Sequence, residues 1–341
     1  MTVTKWLGEN NQLGIDIWTK KYQHDNESFQ EWLDRVSNHN DDVKRLILEK
    51  KFLFGGRILS NRGLDKNGLK VTLSNCYVIA PPEDNIESIF DCASRLARTY
   101  SYGGGCGIDI SNLAPRGAKV RNTAKQTTGS VSFMDLYSLV TGLIGQNGRR
   151  GALMISLSCN HPDIEDFIEI KSDLNRVTKA NISIRITDKF MQAVKNDEPF
   201  TLSFTRLETG EVIEKTVNAR ELFHKVCEMN WDYAEPGMLY WDTIEKWNLL
   251  SEDKNFKYAG TNPCAEEPLP AGGSCLLGSI NLSEFVTETK EFDFDAFRKS
   301  VDIAVKALNE VLDEGLPLHP LKEQRDSVRD WRQIGLTYWV N

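Results

Sequence analysis

The stretch TNPCAEEPLPAGGSCLLGSINL, residues 261–282, holds a cysteine between a carboxamide and a carboxylate. Asn262 lies two positions before Cys264, and Glu266 lies two positions after it. In an extended segment, residues two apart point to the same side, so this spacing predicts a hydrogen-bonding group, a sulfur and an acid or base on one face. Cys275 follows eleven positions later on a glycine-rich segment and could approach from the side. The pattern predicts redox chemistry on a substrate held against this face.

The alternative for this stretch is a buried cysteine beside a turn, with the glutamates as solvated loop charges. An isolated Asn-Pro-Cys would favour that interpretation, but the joint occurrence of Asn262, Glu266 and Cys275 favours a functional role. A distant candidate partner for Cys275 is Cys76, which lies at a predicted strand end. A thiol pair that cycles between dithiol and disulfide can deliver two electrons and two protons, and an external reductant must then reset it.

The composition of the chain excludes several classes of protein. It has 341 residues, 40% of them hydrophobic, which is ample for one large α/β domain or two smaller ones. The net charge of −8 argues against a nucleic-acid binder. The seven cysteines are odd in number and lack a CxxC pair, and the five histidines show no metal-ligand spacing, so we expect no disulfide framework and no metal site. No apolar run predicts a membrane span or a signal peptide, so we expect a cytoplasmic protein.

The periodicity of apolar residues changes near residue 70. Residues 1–70 read as amphipathic helices, and from Val71 onward short apolar strands alternate with helices. This alternation predicts an α/β fold with a largely parallel sheet or barrel and helices outside. A last strand begins at Arg332–Leu336, close to the end of the chain, which suggests a domain cut short. The predicted strands cover 71–79, 152–157, 180–186 and 200–204, and the predicted helices cover 86–100, 161–170, 189–194 (capped by Asp188), 219–233 and 292–312.

Three polar or glycine-rich segments could bind a ligand, and each also has a plain structural interpretation. The basic loop at 145–151, GQNGRRG, could hold a phosphate or a nucleobase edge, or it could be a solvated surface loop. Gly103–Gly107 could bring backbone close to a ligand or form a tight helix-to-strand turn. Asp84 could accept a hydrogen bond from a ribose hydroxyl, cap the following helix, or do both.

Taken together, these motifs resemble the catalytic subunit of ribonucleotide reductase. The matching pieces occur in the order of that family: SNCYV (74–78), GGGCGIDIS (103–111), GSVSFM (129–134), GQNGRRGA (145–152), HPDIEDFI (161–168), NISIRITD (181–188), NPCAEEPL (262–269) and CLLGSINLSEFV (275–286). The resemblance implies a ten-stranded α/β barrel made of two parallel halves. This chain would hold the helical region (1–70) and a partial barrel (71–341): the first half-barrel, the finger loop around 261–280 and the start of the second half.

The resemblance also implies a role for each motif residue. Cys264 would carry a thiyl radical that abstracts the 3′-hydrogen of a ribonucleotide, Glu266 would be the general base, and Asn262 would bind the sugar hydroxyls. Cys76 and Cys275 would be the reducing dithiol, which thioredoxin or glutaredoxin restores. The implied substrate contacts are Ser74, Gly105, Arg150 and Gly151, and the implied contacts to a deoxynucleotide or ATP effector are Asp84, Asn85, Gln146, Asn147 and Arg149.

The resemblance leaves the radical source and the partners to be determined. The short spacing between Cys264 and Cys275 looks like that of adenosylcobalamin-dependent (class II) enzymes, and the alternative is a radical from a metal-containing small subunit. We expect a homodimer, no nucleic-acid polymer as partner, and a second chain that completes the barrel, because the family's later segments are absent. The chain would be the product of a split gene or a truncated chain, inactive alone. The alternative function is a dimerising fragment that binds effector nucleotides without catalysis.

Overall fold

The computed structural model of the protein describes residues 1–120, 123–144, 151–207 and 209–340. They form two compact units: the first combines Met1–Asn75 with Ser274–Asn341, and the second is Cys76–Gly273. The first unit is therefore assembled from both ends of the chain. The sequence predicts a different division, into a helical region over residues 1–70 and a partial barrel over residues 71–341. That division stays a prediction.

Between residues 76 and 205 strands alternate with helices, as the sequence predicts, and further along the chain strands also follow one another directly. The helices are α1 (Val3–Leu7), α2 (Gln12–Lys21), α3 (Phe29–Ser37), α4 (Asp41–Leu48), α5 (Gly56–Asn61), α6 (Ile86–Ser101), α7 (Ser130–Leu143), α8 (Ile164–Glu169), α9 (Asp188–Asn196), α10 (Ala219–Tyr233), α11 (Trp241–Lys246), α12 (Phe294–Gly315) and α13 (Lys322–Trp331). The strands are β1 (Phe52–Phe54), β2 (Cys76–Val78), β3 (Gly105–Asp109), β4 (Leu153–Ser158), β5 (Asn181–Ile186), β6 (Pro199–Thr205), β7 (Val212–Asn218), β8 (Gly237–Tyr240), β9 (Gly260–Thr261), β10 (Pro268–Leu269), β11 (Ser274–Cys275), β12 (Leu277–Asn281) and β13 (Gly335–Trp339).

The first unit is held by aromatic packing among its short helices. Trp6, Trp18, Phe29 and Trp32 are all buried, with ring centroids 5.3–6.2 Å apart. The indole N–H of Trp32 donates to a backbone carbonyl oxygen, Leu59 O, at 3.1 Å, so this large ring is buried without an orphaned polar group. Residues 1–70 contain the helices α1–α5, and the apolar residues of these helices meet in one core.

A small mixed sheet completes the first unit. β12 pairs antiparallel with β1, with Phe52 opposite Ile280, and parallel with β13, with Ile280 opposite Tyr338. The strand predicted to start within 332–336 is confirmed as β13, which begins at Gly335 and continues to Trp339. The long helix predicted over 292–312 is α12, and its buried face belongs to the same core as the aromatic cluster.

The second unit contains the predicted parallel sheet. Five of its strands are hydrogen-bonded in the order β2-β3-β4-β5-β8, and every pair is parallel. The residues of β3 are all buried, as expected for a parallel strand covered on both faces. The predicted helix over 219–233 matches α10 at both ends, and the predicted strands over 152–157 and 180–186 match β4 and β5 within one residue.

The strand predicted over 200–204 is confirmed as β6, which forms an antiparallel hairpin with β7 outside the parallel sheet. No pattern in the sequence predicted β7, because charged residues interrupt its apolar alternation and most of the strand is exposed. Three other local predictions are wrong in detail. Only β2 is regular within the predicted strand over 71–79. Thr187, not Asp188, caps α9, because the side chain of Thr187 accepts from the N–H of Phe190. The short strand β1 lies within residues 1–70, a region predicted to be helical.

We expect the stability of the first unit to fall in mild acid because of His319, which is only 3% exposed. Burial and the nearby Arg325 lower its pKa to about 4, whereas an unfolded histidine titrates near 6.5. Between these values the unfolded chain binds the extra proton, so the free energy of unfolding contributed here is intact above about pH 6.5 and declines as pH falls toward 4, by about 2 kcal/mol at pH 5.

Urea unfolding of the wild type, H319Q and H224Q at pH 7 and pH 5 checks this expectation. His319→Gln should reduce the acid-induced loss of unfolding free energy by about 2 kcal/mol. His224 is exposed on α10, so H224Q should lose as much as the wild type. An equal loss in H319Q and the wild type would contradict the assignment.

Candidate active site

Cys264 lies in a closed turn rather than in an extended segment. The N–H of Ala265 donates to Asn262 O at 3.0 Å, and the N–H of Glu267 donates to the Asn262 side-chain Oδ1 at 3.1 Å. Ala265 has a φ of +67°, a left-handed conformation that reverses the chain. The prediction that Asn262, Cys264 and Glu266 share the face of an extended segment is therefore wrong. The turn instead buries Asn262 and exposes Cys264 and Glu266.

The turn is the tip of a hairpin. β9 and β10 pair antiparallel, with Thr261 opposite Pro268 and Gly260 opposite Leu269. The N–H of Asn262 closes the last rung by donating to Glu267 O at 3.2 Å. We call residues 260–269 the finger. The paired base of the finger is short. The six residues of the tip, 262–267, are therefore held by the hydrogen bonds within the turn and by neighbouring strands.

The glycine-rich strand β3 lies directly against the finger. A Cβ placed on Gly107 would be 1.7 Å from the carbonyl oxygen of Thr261, which no side chain could tolerate. A Cβ on Gly105 would be 3.1 Å from the ring of Pro263, the residue before Cys264. The close backbone approach considered for Gly103–Gly107 is thus real, but it is made to the finger. The turn interpretation also holds, because Gly103 has a φ of +94° at the end of α6.

The surroundings of Cys264 keep its thiol protonated. Partial burial, the carboxylate of Glu266 and the nearby Cys76 all raise the pKa of Cys264 above the ordinary value of a thiol. At neutral pH the sulfur therefore carries its hydrogen. Among the other cysteines, burial raises the pKa of Cys106 and Cys159 as well, and both are inert core residues.

The two cysteines predicted to form the redox pair belong to different units. Cys76 is half-buried and opens β2 in the second unit. Cys275 is buried in the first unit, where its carbonyl oxygen accepts from the N–H of Asn75 at 3.1 Å. Ser74, an expected substrate contact, is 2% exposed, and its hydroxyl is hydrogen-bonded to that of Ser274 at 3.1 Å. That hydroxyl is part of the packing of the first unit.

A cleft of about 770 Å³ in the second unit opens beside the turn. It lies where β4, β5 and β8 begin, and Cys264 and Ala265 form part of its wall. Gly151, one of the expected substrate contacts, also lines it. The other residues expected from the basic loop (Gln146, Asn147, Arg149 and Arg150) lie outside the described residues.

A second cleft, of about 950 Å³, contains the expected effector contacts Asp84 and Asn85. Asn85, not Asp84, caps α6, because its side chain accepts from the N–H of Ser88 at 2.8 Å. Asp84 instead accepts from the N–H of Ala114 at 3.0 Å and from Arg206 Nε at 2.8 Å. The carboxylate is thereby fixed at the edge of the cleft.

Sequence reasoning missed the residues that hold the turn from outside. Asn181, at the start of β5, donates from its side-chain Nδ2 to Pro263 O at 3.0 Å. Lys171 and Glu235 form an ion pair of 2.8 Å beside it. The only signal in the sequence was a polar residue at the head of a buried strand, in the motif NISIRITD.

Two features are absent from the described residues. No three His, Cys, Asp or Glu side chains within 1–120, 123–144, 151–207 and 209–340 are grouped so that they could hold a metal ion. Over the same ranges, no helix combines the length and the apolar character needed to cross a membrane.

Comparisons with known proteins agree on one family. Residues 74–338 match the family described as "Ribonucleotide reductase, barrel domain". The chain is 38% identical over 266 residues to a vitamin B12-dependent ribonucleoside-diphosphate reductase of Thermoplasma acidophilum, covering 77% of this chain and 34% of the relative. It is 33% identical to a protein with the same description from Mycobacterium tuberculosis, covering 92% of this chain and 43% of the relative. It thus spans less than half the length of these curated relatives.

A solved structure supports the fold. The class Id ribonucleotide reductase alpha subunit of Actinobacillus ureae superposes with a TM-score of 0.77 over 99% of this chain and 61% of its own. The sequences are 19% identical, so this likeness concerns the fold alone.

We expect Gly107→Ala to displace the finger and lower the free energy of unfolding by about 1–3 kcal/mol, because the added methyl overlaps Thr261 O. Gly260→Ala is the matched control, since its Cβ would meet Val78 at an ordinary 3.5 Å. Urea unfolding should show a loss below about 1 kcal/mol for G260A. Similar losses in the two variants would show that the close contact does not position the finger.

Proposed function

Because the chain belongs to the ribonucleotide reductase barrel-domain family, we propose that it takes part in reducing ribonucleotides to deoxyribonucleotides, with Cys264 as the radical-bearing residue. The observation that carries this proposal is an exposed thiol with a raised pKa at the tip of the finger. A thiyl radical forms when the S–H group loses a hydrogen atom, whereas a nucleophilic cysteine works as a thiolate. The environment of Cys264 favours the first kind of chemistry.

The neighbours of Cys264 supply the acid–base step. Its thiyl radical would take the 3′-hydrogen of the ribose, and the exposed carboxylate of Glu266 would accept the proton of the 3′-hydroxyl. Asn262, whose side-chain oxygen accepts from the N–H of Glu267, would bind a sugar hydroxyl, as the family resemblance implies. The 2′-hydroxyl would then leave as water.

Cys76 and Cys275 would supply the two electrons and two protons of the reduction. They would become a disulfide, and thioredoxin or glutaredoxin would reduce it again. This pairing rests on the family to which the chain belongs.

The radical source would be adenosylcobalamin, since the relatives cited above are described as vitamin B12-dependent. A metal-containing small subunit is the alternative. The fit rests on the exposure of Cys264 at an open cleft, which admits a large group next to the thiol. The residues of the turn would face the cofactor, which when bound supplies the radical that removes the thiol hydrogen.

The chain would act with a second chain that completes a ten-stranded barrel. The five parallel strands of the second unit would form the first half. Among the residues that the structure describes, β8 is the last strand in that order and pairs with β5 on one side. An open strand edge of this kind accepts further strands. We further propose that the assembled protein is a homodimer in the cytoplasm and acts on ribonucleotides.

Activity should depend on the two exposed residues of the turn. The chain is mixed with a candidate C-terminal half-barrel chain, CDP, adenosylcobalamin and dithiothreitol, and deoxycytidine diphosphate is measured. We expect C264S to abolish product formation and E266Q to slow it about 100-fold or more, as for the loss of a general base.

Cys227→Ser serves as the matched control, because Cys227 is exposed on α10 and should leave the rate unchanged. Product formation by C264S at the wild-type rate would refute the radical role of Cys264. A wild-type chain that stays inactive with every plausible partner and cofactor would refute the enzymatic proposal.

A second candidate function is the binding of an effector nucleotide at the cleft that contains Asp84. The Asp84 carboxylate uses one site of each oxygen for Ala114 and Arg206. A carboxylate offers about four acceptor sites, so capacity remains for a ribose hydroxyl. The dimerising, effector-binding fragment without catalysis would use this cleft alone.

Titration calorimetry with dTTP, dATP and dGTP on the 341-residue chain tests this candidate. We expect binding of at least one nucleotide and an affinity about tenfold or more lower in D84N, because a hydrogen bond to a charged group is lost. D197N is the control, since Asp197 pairs with Arg220 at the end of α9. Absence of binding to the wild type would remove this function and leave the radical chemistry untouched.

A further inference from the structure

The peptide carbonyl next to Cys264 is held by a residue that is 82 positions away in the sequence. Asn181 Nδ2 donates to Pro263 O at 3.0 Å, and Pro263 O belongs to the peptide group that links Pro263 to Cys264. This bond ties the tip of the finger to the first residue of β5. The turn's own hydrogen bonds connect Asn262 with Ala265 and Glu267, so they leave the Pro263 carbonyl to this outside donor.

The backbone on both sides of Asn181 is fixed by one ion pair. Lys171 Nζ donates to the carbonyl oxygen of Ala180, and Glu235 Oε1 accepts from the N–H of Ile182 at 3.1 Å. Lys171 and Glu235 are joined at 2.8 Å, with side chains 15% and 20% exposed. We call this pair the clamp. It holds the residues before and after Asn181, so the carboxamide projects from a rigid point.

The turn needs such support because its conformation is strained. Ala265 occupies the left-handed region at a φ of +67°, which a residue with a Cβ adopts only when its surroundings impose it. Cys264 itself is exposed at the cleft wall and gains little from packing. Fixing the carbonyl just before it limits how far the sulfur can move.

We propose that Asn181, set by the Lys171–Glu235 clamp, is a positioning residue for the thiol of Cys264. This inference rests on the proposed role of Cys264. Asn181 acts through the peptide group that links Pro263 to Cys264. Loss of its donor frees the turn to open and makes the thiol more accessible, while the core of the second unit stays intact.

The test measures thiol accessibility and needs no catalytic activity. The 341-residue chain is treated with iodoacetamide, and the alkylation rate of Cys264 is divided by that of Cys227, which is exposed on α10 and serves as the internal reference. Asn181→Ala removes the side chain, and Asn181→Leu keeps its approximate shape without a donor. We expect this ratio to rise about two- to tenfold in both variants, the effect of one lost hydrogen bond. Hydrogen exchange at the Ala265 amide should quicken with it.

Two further variants separate positioning from general destabilisation. Asn181→Gln keeps a carboxamide donor and should restore most of the wild-type ratio. Asn175→Ala alters an exposed asparagine whose hydrogen bond to Asp173 comes from its backbone, so the ratio should not change. The inference is overturned if N181A and N181L keep the wild-type ratio, if N181Q matches them, or if N175A raises the ratio equally. The proposed role of Cys264 is tested separately by the activities of C264S and E266Q, and none of the outcomes above decides that test.

Discussion

The contact between two backbones, β3 and the finger, is the constraint on which the second unit's candidate site depends. Thr261 O lies where the Cβ of any residue other than glycine would be at position 107. The absence of one side chain therefore lets the finger lie against β3, an interior strand of the parallel sheet. From that contact follow the direction of the tip, the exposure of Cys264 and the approach of Asn181 to Pro263.

The closed turn gives the residues around Cys264 roles that differ from those expected in an extended segment. Asn262 is buried, and its side-chain oxygen accepts from the backbone N–H of Glu267. Its first role is therefore to stabilise the turn, and the proposed contact with a substrate would be a second role. Glu266 is exposed beside the cysteine. One short segment thus contains both the group that maintains the turn and the groups offered to a substrate, and a substitution at Asn262 would affect both roles together.

The sequence was a good guide wherever periodicity or a local motif carries the information. Helix α10 and strands β4 and β5 were predicted nearly to the residue because their apolar spacing is regular. The strand β7 was missed because it is largely exposed and because Glu214 and Lys215 interrupt its apolar alternation.

The candidate site could likewise be predicted only where a local motif reveals it. Cys264 and Glu266 could be named from their spacing, but the left-handed Ala265 is not visible in a run of ordinary residue types. The contacts of Asn181 and of the Lys171–Glu235 pair form only when folding places β5 beside the finger. No local sequence pattern could therefore predict their role.

The electrostatics of the turn separate two kinds of sulfur chemistry within one chain. Burial, Glu266 and Cys76 each oppose a negative charge on Cys264, and so raise its pKa. Disulfide exchange begins with attack by a thiolate, so the raised pKa makes Cys264 a poor nucleophile in that exchange at neutral pH. Hydrogen-atom transfer creates no charge on sulfur, so the same environment does not oppose it. A carboxylate beside the cysteine can therefore serve as the proposed general base and also keep the thiol that we propose to bear the radical out of the dithiol cycle proposed for Cys76 and Cys275.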